Sequence, residues 1–408
     1  MHSENPDRPF TLNRKLAWGI WVAFLFLISW FDKTTTPLPY VGDAALVLLS
    51  LSLGSYGILL VFQRGSLPKP MIITEIFIGL LILVYIFGQV FSSIGSIKTI
   101  AQLFLLGLFF LGGIFILPAE KTIKVVAALF VFLSLINLLL WAAKRFAYPF
   151  EGIFYHKNIL GGMIVYGLFF ILAAFSLSKS KHWFWKAGFI IGLIVLLASG
   201  SRTAWLTIAV VVVAYFLWPK VVQRPGRYSL LFLLVFVGSA GIMFAYVAMS
   251  HMSFFPQIEG LVYRLTHQNL YSGRQVIWPY LIDVILRKPW GYGPGAIPEY
   301  FLPIALSSHN LYLQVALQAG FIALFILGAI LYSIWVYLSS IPHDMIVRLA
   351  GSFLLATLVH QAFEVDLTQT NLTIGIVIWS ILAIGAGRVW LIDQKNRVSD
   401  HAYRPTDP

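Results

Sequence analysis

The chain has no cysteine, and only 16 of its 408 residues are acidic, against 28 lysines and arginines. Without cysteine the fold cannot rest on disulfides, and the redox compartment is left open. Charge of either sign is scarce: 11% of residues are charged while 59% are hydrophobic, with a mean hydropathy of +0.84. That balance excludes a chain that stays monodisperse in water, so the bilayer is its solvent. A net charge of +12 would point to nucleic acid in a soluble protein. Here the basic residues fall mostly in short links between apolar runs, the pattern of a membrane topology, and no nucleic-acid partner is expected. There is no P-loop, GxSxG or HExxH, no domain for a nucleotide sugar, no repeat and no low-complexity segment. The energy for any reaction must then come from the substrate itself.

Apolar runs near the ~20 residues that cross ~30 Å of hydrocarbon predict about twelve transmembrane helices in one all-α polytopic domain spanning 1–408. They are 16–31, 43–62, 71–91, 99–117, 123–143, 159–177, 185–199, 204–218, 228–250, 310–338, 349–363 and 372–391. Arg8, Arg14 and Lys15 precede the first run, which has no small-residue cleavage site before the polar 32–39 link, so it reads as a membrane helix and not a cleaved signal. The seventh and eighth runs are short and meet at Gly200 to Thr203, which predicts a tight hairpin. Alternate links divide the 28 basic residues 18 to 10, with the richer set including both terminal regions. The positive-inside rule then makes both termini cytoplasmic and turns the longest link, 251–308, to the periplasm.

Within that link, Val276, Ile277, Tyr280, Leu281, Val284 and Ile285 recur at near-helical spacing, and Asp283 and Arg287 are placed for an i,i+4 pair. Pro289, Gly291, Gly293, Pro294 and Gly295 cannot continue a helix and should turn the chain back toward the membrane. The expectation is a long periplasmic loop with short interfacial or re-entrant helices that lid a cavity.

Three outward features could carry chemistry. Arg202 lies at the mouth of the predicted hairpin, where the topology rule disfavours positive charge. Either an anionic partner or snorkelling to the outer headgroups explains it. Arg274, after Ser272 and Gly273, starts the predicted interfacial helix, so a guanidinium and backbone N–H groups would face one region. That arrangement suits phosphate, or is a solvated loop arginine. His309 follows Ser307 and Ser308, a serine being able to cap the tenth helix with the histidine at its first turn. The helix dipole there favours the neutral imidazole a general base requires, although a capping or interfacial histidine would look the same. Lys144, Arg145, His156 and Lys157 add outward polar and cationic groups near the sixth helix, as would an interfacial belt with aromatic anchors. Glu364 and Asp366 are too few to argue for a metal, and a hydrogen-bonding or acceptor-positioning role is expected of them.

At these residues the sequence resembles the O-antigen ligase family, within the group that includes O-antigen polymerases and protein O-oligosaccharyltransferases. "SGRQVIWPYLIDVILRKPWGYGPGAIP" followed by "SSHNLYLQVALQAGFIALFILGA" looks like the family's long outer loop and next helix, and "GIFYHKNILGG" and "SGSRTAWL" match its shorter patterns. The resemblance implies a cofactor-free, metal-independent glycosyltransferase of lipopolysaccharide biosynthesis at the outer face of a bacterial inner membrane. Its donor would be a glycan on undecaprenyl diphosphate and its acceptor lipid A-core oligosaccharide. By motif, His309 would be catalytic and Arg202 and Arg274 would bind the diphosphate, with Arg145, His156, Lys157, Asn310 and Tyr312 as secondary substrate contacts. The shared pattern leaves ligase, polymerase and protein-directed transferase open. A secondary transporter fits the helix count but lacks a two-halves repeat and mid-bilayer charges.

Overall fold

The computed structural model describes residues 9–402 except 39, 65–66, 180–181, 250–251, 267–268, 272, 304–306 and 370–371. Arg8 and Ser272 lie outside the described residues. The helices are α1 (Pro9–Trp30), α2 (Val41–Arg64), α3 (Lys69–Phe91), α4 (Ile97–Ile116), α5 (Glu120–Ala143), α6 (Lys157–Ser176) and α7 (His182–Ser199). They continue with α8 (Arg202–Val221), α9 (Pro225–Met249), α10 (Phe255–Thr266), α11 (Arg274–Arg287), α12 (Leu311–Ser339), α13 (Met345–His360) and α14 (Leu372–Ala402).

Eleven of them are long and apolar enough to cross a membrane, and α13, at 16 residues, is a shorter apolar helix. The protein is an all-α, multi-pass membrane protein. Helix is forced here because hydrocarbon offers no partner for a backbone N–H or C=O, so each segment must satisfy its own. The bundle is organised around α6 and α14, whose spans are 83% and 94% buried, whereas α9, at 11%, faces outward from the protein. Glycine sets the closest contacts: a Cβ on Gly112 would lie 1.9 Å from the Leu53 carbonyl, so α2 and α4 approach at backbone distance.

The predicted hairpin is present: α7 ends at Ser199, α8 begins at Arg202, and Gly200 takes φ +65°. The near-helical pattern in the long link is α11, of 14 residues, and Arg287 pairs with Asp283 at 2.7 Å. Gly273, at φ +86°, starts that helix.

After α11 the chain does return to the bundle, through a feature that the apolar run 310–338 conceals. α12 is broken at Gly320 (φ +75°, ψ −175°). The break frees the carbonyls of Leu317 and Gln318, which accept from the N–H groups of Tyr292 (2.8 Å) and Gly293 (2.9 Å), while Phe321 N–H donates to Pro289 (3.0 Å). A Cβ on Gly320 would meet the Pro289 carbonyl at 2.4 Å, and one on Gly291 the Gln318 carbonyl at 2.5 Å. Irregular backbone is thus tolerated because protein backbone replaces the lost helical partners. Gln314 and Gln318 both donate to the Ala296 carbonyl (2.9 and 3.1 Å), so the returning loop is also fixed by side chains.

Candidate active site

The starts of α6, α8 and α11, the end of α9, the turn before α12 and the turn after α13 converge on one cavity of about 530 Å³. His156, Lys157, Arg202, Arg274 and His309 all line it, with Asn158, Tyr246 and Phe363. Residues scattered over more than 150 positions of the sequence therefore share one face of the bundle.

Arg274 is held by α11. It is 8% exposed, donates to the Phe363 carbonyl at 3.1 Å, and lies 6.0 and 5.9 Å from the ring centres of Trp278 and Phe363. Its Nε is buried with no hydrogen-bond partner among the described residues. A desolvated guanidinium with an unused donor costs free energy until an anion meets it. Arg202 enters from the α7–α8 hairpin and donates to the Asn269 carbonyl at 3.1 Å, which ties the hairpin to the α10–α11 link.

His309 has φ +46°, an unusual conformation for a residue with a side chain. Its N–H donates to Ser307 Oγ (3.1 Å), and Asn310, not Ser308, is the cap: Asn310 Oδ1 accepts from Leu313 N–H at 3.0 Å. His309 therefore precedes α12 instead of occupying its first turn. Ser308 Oγ is engaged with the backbone of Asn310. Asn310 Nδ2 donates to the Ala362 carbonyl (3.1 Å) and Leu311 N–H to the Gln361 carbonyl (2.9 Å), which staple this turn to the one after α13.

That second turn brings Glu364 to His309. Glu364 is 8% exposed; its Oε2 is 4.0 Å from His309 Nδ1, and its Oε1 accepts from Asn158 Nδ2 at 2.8 Å. Burial alone would raise the Glu364 carboxyl, but the nearby His309 ring, 4.0 Å away, and the charge of Arg274 outweigh it and hold it below the usual range. Asp366 does something different. It meets His360 Nε2 at 3.0 Å, and His360 Nδ1 lies 2.8 Å from Thr207 Oγ1, all buried, bracing the turn against α8. Burial depresses His156, with Lys157 adding to the effect and Glu364 opposing it. His156 Nδ1 accepts from Asn158 N–H at 3.2 Å, which also fits a neutral ring.

Of the secondary contacts predicted from the sequence, His156 and Lys157 line the cavity and three residues do not. Asn310 and Tyr312 are buried in packing, with the Tyr312 hydroxyl donating to the Leu358 carbonyl at 2.7 Å. Arg145 is exposed in the turn after α5. A polar residue beside a motif is as readily used to fasten the motif as to touch a ligand. Asn158 and its bond to Glu364 were not predicted. Their partnership spans 206 positions, and only the amide and carboxylate types hinted at it.

Residues 187–328 match the family described as O-Antigen ligase. No curated protein matches the chain. The matched stretch carries Arg202, Arg274 and His309 together with the long link and the break at Gly320, and over it the chain is similar to the O-antigen ligase family, of the wider O-antigen ligase and polymerase group.

Proposed function

We propose that the protein is an O-antigen ligase, an inverting, metal-independent glycosyltransferase that moves a glycan from undecaprenyl diphosphate to lipid A-core oligosaccharide. The observation that carries this reading is the buried Arg274 guanidinium, with an unpartnered Nε, sharing one cavity with Arg202 and His309. Two guanidiniums in one partly desolvated cavity repel each other, and a diphosphate relieves that repulsion.

The acceptor hydroxyl oxygen attacks the anomeric carbon from the face opposite the diphosphate, and its proton passes to His309 Nε2. The anomeric C–O bond breaks as the new one forms, and its electron pair leaves on the diphosphate oxygen, where Arg202 and Arg274 neutralise it. Glu364 orients the imidazole through Nδ1–H and stabilises the imidazolium that forms. Asn158 holds the carboxylate. Asn310 fixes the His309 turn without touching substrate.

This reaction places the cavity at the periplasmic face of the inner membrane, with both termini cytoplasmic. In the cysteine-free chain, single cysteines at Lys220 and Arg227 should be shielded from an impermeant thiol reagent in intact cells, and one at Gln275 should react. The deciding assay offers purified protein and a defined undecaprenyl-diphosphate glycan three acceptors: lipid A-core, a second lipid-linked glycan, or a peptide. Extension of lipid A-core supports the ligase. Extension only of the glycan or of the peptide replaces it with polymerase or protein transferase. Transfer should persist in EDTA.

A further inference from the structure

Near the start of α1 is a second cavity, of about 310 Å³. Arg14 and Lys15 stand at its rim, and Trp18, Tyr56, Phe115 and Trp390 form its walls. The Arg14 guanidinium lies 5.4 Å from the Tyr56 ring centre, with Trp18 against the same ring at 5.2 Å. Phe115 and Trp390 meet edge to face at 5.2 Å. Among the described residues no acidic side chain lines the cavity. The nearest in sequence to its lining residues Ala119 and Thr122 is Glu120, which is paired with Lys124 at 2.5 Å.

A third element contributes positive potential. α5 begins here at Glu120, and its cap, Ala119, makes no side-chain hydrogen bond to the first turn. Thr122 uses its hydroxyl on the Lys15 carbonyl, at 3.5 Å, so the start of α5 is tied to the cationic turn of α1. Two cations, an uncapped helix start and an aromatic-aliphatic pocket are thus grouped at a helix-end level, where headgroups meet hydrocarbon.

We infer that this cavity binds an anionic glycerophospholipid, its phosphate between Arg14, Lys15 and the start of α5, its upper acyl chains against Trp18 and Trp390. The inference does not depend on the glycosyl-transfer reading, since none of these groups belongs to the His309 cavity. Scattered interfacial lysines would attract an anionic surface in general. A concave apolar floor below an adjacent cation pair instead selects a molecule with both a phosphate and a chain.

The test is titration of delipidated, detergent-purified full chain with short-chain phosphatidylglycerol, phosphatidylcholine or inorganic phosphate, following the unfolding midpoint. Phosphatidylglycerol should raise it saturably and the other two should not. In R14Q/K15Q the phosphatidylglycerol concentration for half-effect should rise about thirtyfold, at roughly a factor of five per cation. R14K/K15R should stay close to the unsubstituted chain, and R224Q/R227Q, which removes two cations elsewhere, should leave the titration unchanged. An unchanged titration in R14Q/K15Q overturns the site. An equal response to phosphatidylcholine overturns the anion requirement, and an equal response to inorganic phosphate overturns the lipid.

Discussion

The two cation-bearing cavities differ in how their charges are held. In the His309 cavity, Arg274 is buried, locked by a carbonyl and two rings, and has a donor to spare. In the cavity at the far end of α1, Arg14 and Lys15 are exposed, with one aromatic face as support. A desolvated, immobile charge acts strongly over a short distance and at a fixed angle, which chemistry on a single bond requires. A hydrated, mobile one gives screened, tolerant attraction, enough to retain a headgroup.

That contrast can be broken most sharply at the reacting centre. His309→Ala should cut single-turnover transfer by roughly 10²- to 10⁴-fold, the usual loss for a general base, while donor affinity stays near that of the parent chain. Wild-type turnover would remove His309 from the chemistry. Next in size, Arg274→Ala or Arg202→Ala should weaken donor binding about ten- to hundredfold, measured by titration with the lipid-linked glycan. Lysine should restore Arg274 only in part, because an ammonium cannot satisfy both the Phe363 carbonyl and a phosphate in the plane of the guanidinium. Full rescue by lysine would mean that the buried geometry is unimportant and that the two cavities work alike.

Glu364→Gln should lower turnover about tenfold with little change in donor affinity. Because the Glu364 carboxyl is held below its ordinary value of 4.5, it is ionised throughout the neutral range. Its stabilising contribution is present above that ordinary value and is lost as pH falls through the lowered one. Removing the charge makes an imidazolium at His309 less favourable, so the acid limb of the pH–rate profile should move to lower pH, with Glu364→Asp lying between. An unmoved limb alongside an inactive His309→Ala would reject the orienting role of Glu364 while sparing the base. Smallest of all, raising salt from 0.05 to 0.5 M should weaken phosphatidylglycerol binding about fivefold and donor binding less than twofold. Equal sensitivity would erase the distinction between buried and exposed cations.

Much of this was legible before any coordinates. Long apolar runs announce spanning helices because the bilayer allows little else, and the α11 pattern and the Gly200 hairpin follow from side-chain period and glycine. Short helices in the long link were expected, but the position of α10 was not, since twelve amphipathic residues between two spans resemble any link. Ser308 and Asn310 are both capping types, and only the backbone decides that Asn310 serves α12. Arg202, Arg274, His156, Lys157 and His309 do meet, but the carboxylate between His309 and Asn158 depends on a turn whose placement is set by the buried Asp366–His360–Thr207 chain. Contacts of that range leave no periodic trace.

The discontinuity at Gly320 has a mechanical consequence. An unbroken rod would transmit tilt and flexing from the bilayer directly to His309 at its tip, whereas here the nine residues of α12 preceding the break are cemented to the 289–293 loop and to Ala296. The lower shaft can lean to suit membrane thickness while the upper stub stays with the scaffold around the cavity. Transfer rates in vesicles of short, medium and long acyl chains should therefore be nearly flat, and a steep dependence on thickness would show that the joint at Gly320 is rigid.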